Sequence, residues 1–386
     1  MRVLGCLGLS MELQQRYRRG RLICVLACTG SCGPIEKHAR TEDEQLSPPF
    51  QRLWRTVESD AVDISVDESM GVWTVSVDGV VRRFEADGSL SRRTALLGVS
   101  GWPTLAPGPD GAVYVAAEVD EEQPSSAVWL VDADGTVRWS RRWQGIAVEH
   151  CASDESGQLV IAGSNTRNAE STEWVAVLTP SGETRWEATP DAAIPRLDMV
   201  TLLDDRVFAI DIPSAMLRVL PVGTTEVLSI PLEAVPFRFT TAGDTLIGLG
   251  GGPSGRRIEG RDAGGQLEWE HQTSRSGFSD YLLPTLRPVA PGLFIVSATL
   301  QSEERDPEGR PIQTMGQLRL YSNDGVEVAS ARIDDEGAAT FLTVAAGRCS
   351  EDGHCRIAVR GTHHYEASDD RVFFLDMYDV DLSREE

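Results

Sequence analysis

Residues 130–139 read LVDADGTVRW, and this stretch decides the fold because the chain repeats it at intervals. In each copy an apolar run leads into a turn containing Asp or Gly and a second run follows, which is typical of a β-hairpin. The other copies are residues 84–90 (FEADGSL), 177–186 (VLTPSGETRW), 260–269 (GRDAGGQLEW), 320–328 (LYSNDGVEV) and, more weakly, 217–227 (LRVLPVGTTEV). The sequence therefore predicts a protein built from repeated hairpins.

The spacing of the copies identifies the repeat unit. Their turn glycines lie 47, 47, 41, 42 and 60 residues apart. Periods of about 40 to 50 residues are typical of β-propeller blades. The longest interval contains residues 302–313 (SEERDPEGRPIQ), a charged insertion that a surface loop can absorb at small entropic cost. Each unit also has an earlier turn and strand, as in residues 110–116 (DGAVYVA), which suits a four-stranded blade.

The two ends of the folded region are predicted to pair with each other. The last unit, residues 341–380, stops where the outermost strand of a blade is expected. Residues 50–57 (FQRLWRTV) resemble that strand, and their pairing with the last blade would remove an exposed sheet edge. No sustained helical period is present. We therefore predict an all-β fold over residues 50–386, a single β-propeller of about seven four-stranded blades closed by an N-terminal strand.

Three tryptophans mark the repeat further. Trp139, Trp186 and Trp269 each follow the turn glycine by four residues. Over residues 78–330 the pattern Asp-x-x-Gly-x-x-x-Trp resembles the pyrroloquinoline-quinone-like repeats of quinoprotein dehydrogenases and of the assembly lipoprotein of the Bam complex. The resemblance implies that these tryptophans dock neighbouring blades, with ligand stacking as the alternative. Quinone-dependent relatives carry adjacent cysteines and a calcium site; this sequence has neither, so we predict no cofactor and no metal.

The N-terminal segment differs from the repeats. Residues 16–32 (RYRRGRLICVLACTGSC) place four arginines before a short apolar run and then small residues, which is the layout of a signal peptide. The apolar run is far shorter than the about 20 residues that span a bilayer. We predict a signal peptide over residues 1–27, with Met11 as the true start, and a flexible polar tether over residues 28–49.

The same segment resembles bacterial lipoprotein signals, in which a cysteine after the apolar run becomes the lipidated amino terminus. Cys28, which follows Ala27, fits best, and Cys32 is the alternative. The resemblance implies an exported protein anchored in lipid at the bacterial cell envelope, at the outer membrane or its periplasmic face.

Charge excludes several classes of partner and chemistry. The formal net charge is −23, and because residues 1–40 carry +5, the remainder carries −28. Such a body repels nucleic acids and anionic membrane surfaces, whereas basic proteins and neutral polymers stay possible. Lys37 is the single lysine, so the folded body has no lysine for Schiff-base or P-loop chemistry.

Two polar groups near the C-terminus are candidate sites. Cys349 and Cys355 flank a predicted hairpin tip, and in an oxidising envelope they are predicted to form a disulfide, with zinc binding as the alternative. His363, His364 and Glu366 form the densest titratable group and are the candidate polar site, on a segment with the look of an exposed loop.

These features predict a non-enzymatic scaffold that binds a protein or polysaccharide through its loops. The candidate recognition loops are the insertions at residues 118–126, 165–172, 302–313 and 362–370. The alternative is an enzyme acting on polysaccharide or peptide, with acidic and His residues at the channel mouth. The sequence leaves the oligomeric state open.

Overall fold

The computed structural model has a compact unit spanning Leu46–Glu386. It describes residues 50–382 except for 58–59, 120–124, 166–171, 190–196, 198, 234, 253–254, 274–277, 281–284, 303, 305, 308–310, 312, 334–337, 351–352 and 366–369. The predicted signal peptide, tether and lipidation sites (Cys28 and Cys32), together with Glu366, lie outside the described residues.

The described strands form seven antiparallel sheets, which are the blades of a propeller. Strand β1 (Phe50–Thr56) belongs to the last of them. Blade 1 consists of β2 (Ala61–Val66), β3 (Val72–Ser76), β4 (Val80–Phe84) and β5 (Leu90–Ala95). Blade 2 consists of β6 (Val99–Pro107), β7 (Val113–Val119), β8 (Ser125–Val131) and β9 (Val137–Gln144), with a 3₁₀ turn at Pro109–Gly111. Blade 3 consists of β10 (Ile146–Ser153), β11 (Leu159–Asn165), β12 (Thr172–Leu178) and β13 (Thr184–Ala188).

The remaining blades repeat this plan. Blade 4 consists of β14 (Met199–Leu203), β15 (Arg206–Asp211), β16 (Met216–Pro221) and β17 (Leu228–Pro231). Blade 5 consists of β18 (Pro236–Ala242), β19 (Thr245–Gly252), β20 (Gly255–Arg261) and β21 (Leu267–Thr273). Blade 6 consists of β22 (Phe278–Asp280), β23 (Thr285–Ala290), β24 (Leu293–Ser302), β25 (Thr314–Ser322) and β26 (Glu327–Ile333), in which β22 and β23 both pair with β24. Blade 7 consists of β27 (Ala338–Cys349), β28 (His354–Tyr365), β29 (Asp370–Asp381) and β1.

Contacts between blades close the ring. The first strand of every blade, β23 in blade 6, contacts the first strand of the next blade, so these strands surround the central channel. Seven apolar clusters lie between neighbouring blades, and one of them joins blade 7 to blade 1 through residues such as Leu375 and Ile64. The apolar core is therefore a ring of seven interfaces, as the predicted propeller requires.

Strand β1 pairs with β29 from Phe50↔Val380 to Thr56↔Leu375, as predicted for residues 50–57. An ion pair supports this pairing. Arg55 Nε donates to Asp376 Oδ1 at 2.7 Å and Arg55 Nη2 donates to Asp376 Oδ2 at 2.8 Å. Asp376 is buried and also accepts from the Tyr378 hydroxyl. The first and last strands of the described chain are thus joined within one blade, which hides the outer edge of β29.

The tryptophans of the repeat lie between blades. Trp139 Nε1 donates to Pro180 O of the next blade at 3.0 Å, and a Cβ at Gly182 would lie 2.8 Å from the Trp139 ring. Trp186 Nε1 donates in the same way to Thr224 O of blade 4. A Cβ at Gly325 in blade 6 would meet the Trp269 ring at 2.7 Å. Each ring therefore sits on a turn of the following blade, and at Gly182 and Gly325 the turn glycine makes room for it.

Candidate functional site: an acidic cup at one end of the channel

The turns between the first and second strands of all seven blades gather at one end of the ring. They enclose a cavity of about 730 Å³, which we call the acidic cup. Its volume is within the range of small-molecule and peptide sites in proteins. We call this end of the ring the cup face and the other end the opposite face. The cup is therefore a site to which every blade contributes.

The described residues that line the cup carry six carboxylates and one guanidinium. The carboxylates are Glu68 of blade 1, Asp110 of blade 2, Asp154 and Glu155 of blade 3, Asp204 of blade 4 and Asp244 of blade 5. The guanidinium is Arg348 of blade 7. A concave site lined by one sign of charge concentrates the field, so the cup attracts cations.

Backbone geometry fixes two of these carboxylates. Asp204 and Asp205 form the two-residue turn between β14 and β15, and their φ angles are 49° and 56°. Two positive φ values in a two-residue hairpin loop define a type I′ turn. Asp110 also has a positive φ, 57°. Asp and Asn tolerate this conformation better than most residues, so the turn type favours an acidic residue at these positions.

Most of the cup carboxylates do not have a strong cationic partner. Glu68 pairs with Arg348 at 3.2 Å, and Asp110 lies 3.9 Å from Arg138. Asp154 instead accepts hydrogen bonds from Ser156 and Gln158 within its own turn. Exposed ion pairs of this kind contribute little free energy. The cup therefore keeps negative charge available for a ligand.

An ion pair crosses the channel between blades that are not neighbours. Arg287 of blade 6 donates to both carboxylate oxygens of Asp63 of blade 1, at 3.1 and 3.3 Å, although blade 7 stands between them. Asp63 Oδ2 also accepts from the backbone N–H of Leu105 in blade 2 at 2.8 Å. This contact places a charged pair across the interior of the channel.

Cys151, the free cysteine among the described residues, lies beside this pair. Cys151 Sγ is 3.0 Å from the Thr104 hydroxyl, and burial raises the pKa of the thiol to about 11. A thiol with this pKa stays protonated at neutral pH and is a poor nucleophile. Cys151 therefore behaves as a packing residue of the inner strands.

The structure places the two histidines of the predicted polar site in different environments. His363 lies in strand β28, is 1% exposed, stacks on Phe374 with ring centroids 4.3 Å apart, and places Nδ1 2.9 Å from the Thr340 hydroxyl. His364 is next to it on the other side of the strand and is partly exposed. The segment up to Tyr365 is thus strand and not the loop expected from its polarity. His363 is therefore shielded from solvent and does not form the exposed polar site that the sequence predicted.

Cys349 and Cys355 are joined by a disulfide at the end of the β27–β28 hairpin. Cys349 lines the cup beside Arg348. The disulfide therefore supports the rim of the cup at the position of its single cation.

The strands that flank the four predicted recognition loops have those ends away from the cup. Each loop connects the second and third strands of its blade, β7–β8, β11–β12, β24–β25 and β28–β29, so all four belong to the opposite face. Most of their inner residues are outside the described ranges. The acidic residues of the cup come from turns whose sequences indicate only hairpins, so the sequence predicted acidic residues at the channel mouth without identifying them. The recurrence of Asp in those turns was the available signal.

Two other features, a metal-ligand cluster and a membrane-spanning helix, are not found in the part of the chain that the structure describes. No three His, Cys, Asp or Glu side chains there converge on one point as metal ligands would. No helix among the same residues is long and apolar enough to span a bilayer.

Six four-stranded blades and one five-stranded blade around a closed channel define the chain as a seven-bladed β-propeller. It matches no known protein family and no curated protein. Among solved structures it is similar to BBS1N in complex with ARL6DN, with 11% identity, a TM-score of 0.51 and coverage of 86% of this chain and 97% of that one. That likeness supports the fold alone.

Two further solved structures are also similar to the chain. One is a protein of unknown function from Bacteroides caccae, with 12% identity, a TM-score of 0.44 and coverage of 74% of this chain and 94% of that one. The other is BamB from Moraxella catarrhalis, with 13% identity, a TM-score of 0.41 and coverage of 82% and 85%.

Proposed function

We propose that this protein is a lipid-anchored envelope scaffold with pyrroloquinoline-quinone-like repeats, and that its acidic cup binds a basic segment of a partner protein without catalysing a reaction. The observation that carries the proposal is the cup, a cavity of about 730 Å³ lined by six carboxylates and one guanidinium. A partner segment rich in Arg or Lys complements that charge and gains affinity from it.

The rigidity of the ring supports a binding role. The cup turns join the inner strands of blades that are packed through continuous apolar clusters, so the carboxylates are held in place before a ligand arrives. A preformed site loses little conformational entropy on binding. BBS1N, one of the structures similar to this chain, was solved in complex with ARL6DN, and this agrees with a scaffold role.

The test uses a fluorescently labelled peptide that alternates Arg with Gly, titrated with the protein at low salt. Asp110, Asp204 and Asp244 are changed together to Asn, which keeps the size of each side chain and suits positive φ at Asp110 and Asp204. The matched control changes Asp87, Asp134 and Asp324 to Asn, three exposed residues of the outer turns. We expect the cup variant to bind at least tenfold more weakly and the control to bind like the natural chain. If the cup variant and the control lost affinity equally, the effect would come from net charge alone, and the cup would be refuted as the binding site.

The anchor is tested separately by intact mass spectrometry of the protein extracted from its host's membranes. A diacyl or triacyl mass on a chain that starts at Cys28 supports lipidation there, and the same mass on a chain from Cys32 assigns the alternative. An unprocessed chain without lipid refutes the anchor and leaves the cup experiment unaffected.

A further inference from the structure

The opposite face carries an apolar patch on blades 1 and 2. Val77 is 43% exposed in the β3–β4 turn, Leu97 is 81% exposed in the β5–β6 connection, and Trp102 is 75% exposed in β6. We call these three side chains the Trp102 patch. Single exposed apolar residues are common, but contiguous ones mark interaction surfaces. No described segment of the chain covers them.

Contacts beneath the patch join the two connections that carry Val77 and Leu97 to each other and to the start of β6. Leu96, which precedes Leu97, is buried, and its backbone N–H donates to Gly79 O in the β3–β4 turn at 3.0 Å. A Cβ at Gly79 would lie 2.7 Å from Val99, so this turn packs directly against the start of β6. The two connections that carry Val77 and Leu97 are therefore in contact.

The backbone also holds Trp102 outward. Register shifts between Ser100↔Glu118 and Thr104↔Ala116, so Trp102 lies in a bulge of β6. Gly101 precedes it with a φ of 78°, and the buried Pro103 follows it. Bulges of this kind redirect side chains in a fixed way. The exposure of Trp102 is therefore a consequence of the bulge in the hydrogen-bonded strand β6.

Carboxylates lie beside two of the patch residues. The Glu118 carboxylate lies against Gly101, since a Cβ there would be 3.2 Å from Glu118 Oε2. Burial and the nearby charge of Glu149 raise the pKa of Glu118. Asp78 is exposed in the turn of Val77, and Asp60, which pairs with Arg82 at 2.9 Å, begins the same blade.

We propose that the Trp102 patch docks an amphipathic segment of a partner protein in which apolar side chains are flanked by Lys or Arg. Trp102 and Leu97 would be covered by the apolar side chains of that segment, and its cations would face Glu118, Asp78 and Glu149. The acidic rim disfavours the other occupants, because it would repel an anionic lipid surface and the equally acidic rim of a second copy. This site goes beyond the cup and does not depend on it.

The test measures binding of a labelled twelve-residue peptide with Leu and Trp on one helical face and Lys beside them. The protein is the full mature chain, and the variants are Trp102→Ser and Leu97→Ser. The matched control is Leu90→Ser combined with Val137→Ser, two exposed apolar residues on outer strands. Because anchor residues dominate interfaces, we expect Trp102→Ser to weaken binding about 30-fold and the control to leave it unchanged. A second peptide with Glu in place of Lys should bind at least tenfold more weakly than the first.

Three results would overturn the proposal. One is unchanged affinity in Trp102→Ser with an unchanged melting temperature. Another is self-association of the natural chain, measured by sedimentation, that is lost in Trp102→Ser. This result would assign the patch to a second copy of the chain. The last is Trp102-dependent binding to vesicles of neutral and anionic phospholipid without binding of the basic peptide. The Arg-Gly peptide used for the cup has no apolar side chain, so failure at one site is distinguishable from failure at the other.

Discussion

At the scale of single residues, tryptophan has two opposite uses in this fold. Trp186 is buried between blades, donates its indole N–H to Thr224 O, and packs in the apolar cluster of blades 3 and 4. Trp102 is held in solvent by a bulge. A large aromatic side chain stabilises the fold only where it is buried from water. Removing Trp186 should therefore lower the free energy of unfolding much more than removing Trp102.

Trp186→Ala should therefore destabilise the protein by about 3 kcal/mol or more, because it leaves a cavity between two blades. Trp102→Ala is the matched control and should change the free energy of unfolding by less than about 0.5 kcal/mol. Urea unfolding followed by circular dichroism measures both. A small effect of Trp186→Ala would contradict the interpretation that this tryptophan docks blade 3 on blade 4.

Cys151 allows a second test at this scale. Because burial raises its pKa to about 11, the thiol should stay unlabelled by a maleimide at pH 7.5 while the protein is folded. It should react fully in denaturant. Peptide mapping by mass spectrometry reads Cys151 separately from the other cysteines. Rapid labelling of the folded protein would show that the inner strands open or that the thiol is accessible.

At the scale of elements, buried ion pairs fix individual turns and strand pairs. In blade 4 Asp211 ends β15 and accepts from Ser214 and from Arg218, whose Nη2 is 2.6 Å from Asp211 Oδ2. Burial opposes ionisation of Asp211, but these hydrogen bonds outweigh it, so the pKa of Asp211 is lowered. A carboxyl with a lowered folded-state pKa stabilises the protein above its unfolded pKa of about 3.9 and loses that contribution as the pH falls.

Asp211→Asn should accordingly cost about 1 to 3 kcal/mol at pH 7, because it weakens charged hydrogen bonds in a buried turn. The difference from the natural chain should shrink as the pH falls below about 4 and the carboxyl of the natural chain is protonated. Asp205→Asn is the control, since its pair with Arg185 is exposed and should matter far less. Urea unfolding at pH 7 and pH 3 measures both variants. A cost for Asp211→Asn that stays constant with pH would rule out this linkage.

Strand β1 gives a further prediction for an element. Arg55→Ala leaves the buried Asp376 with weaker partners, namely the Tyr378 hydroxyl and Arg52 at 3.8 Å. We expect a loss of about 2 to 4 kcal/mol and faster hydrogen exchange along β29, because an unpaired buried charge is costly and the edge of β29 opens. The exposed Arg93→Ala, on the outer strand of blade 1, is the control and should change neither quantity. Unchanged exchange along β29 in Arg55→Ala would contradict a closing role for β1.

At the scale of the whole molecule, closure of the ring concentrates negative charge at one end of the channel. Residues 41–386 carry −28, and the closed ring directs part of this charge into one concave end. Long-range attraction of a basic ligand is screened over a Debye length of about 8 Å at physiological ionic strength. The association rate of the Arg-Gly peptide should therefore fall at least tenfold when the salt concentration rises from about 20 to about 300 mM. Its dissociation rate should change less. Stopped-flow fluorescence measures both rates, and a salt-independent association rate would exclude electrostatic steering by the cup.

The propeller fold can be predicted from local patterns along the chain. The copies of LVDADGTVRW set the period, the glycine four residues before each docking tryptophan set the phase, and residues 50–57 supplied the missing strand. These features are local, because a hairpin turn and the strands on either side of it are encoded within about a dozen neighbouring residues. The propeller follows once such units recur, since each blade can bury its apolar faces only against its neighbours.

The positions of the candidate sites depend on how distant segments pack in the folded protein. Glu68, Asp110, Asp204 and Asp244 are distant in sequence and become one cup because ring closure places equivalent turns of different blades around one axis. His363 has the composition of an exposed site but lies in the core, because β28 continues through it and alternation turns its ring inward. Trp102 shows the reverse, since a bulge exposes it. Burial and convergence depend on the packing of distant segments, and the order of neighbouring residues along the chain does not encode them.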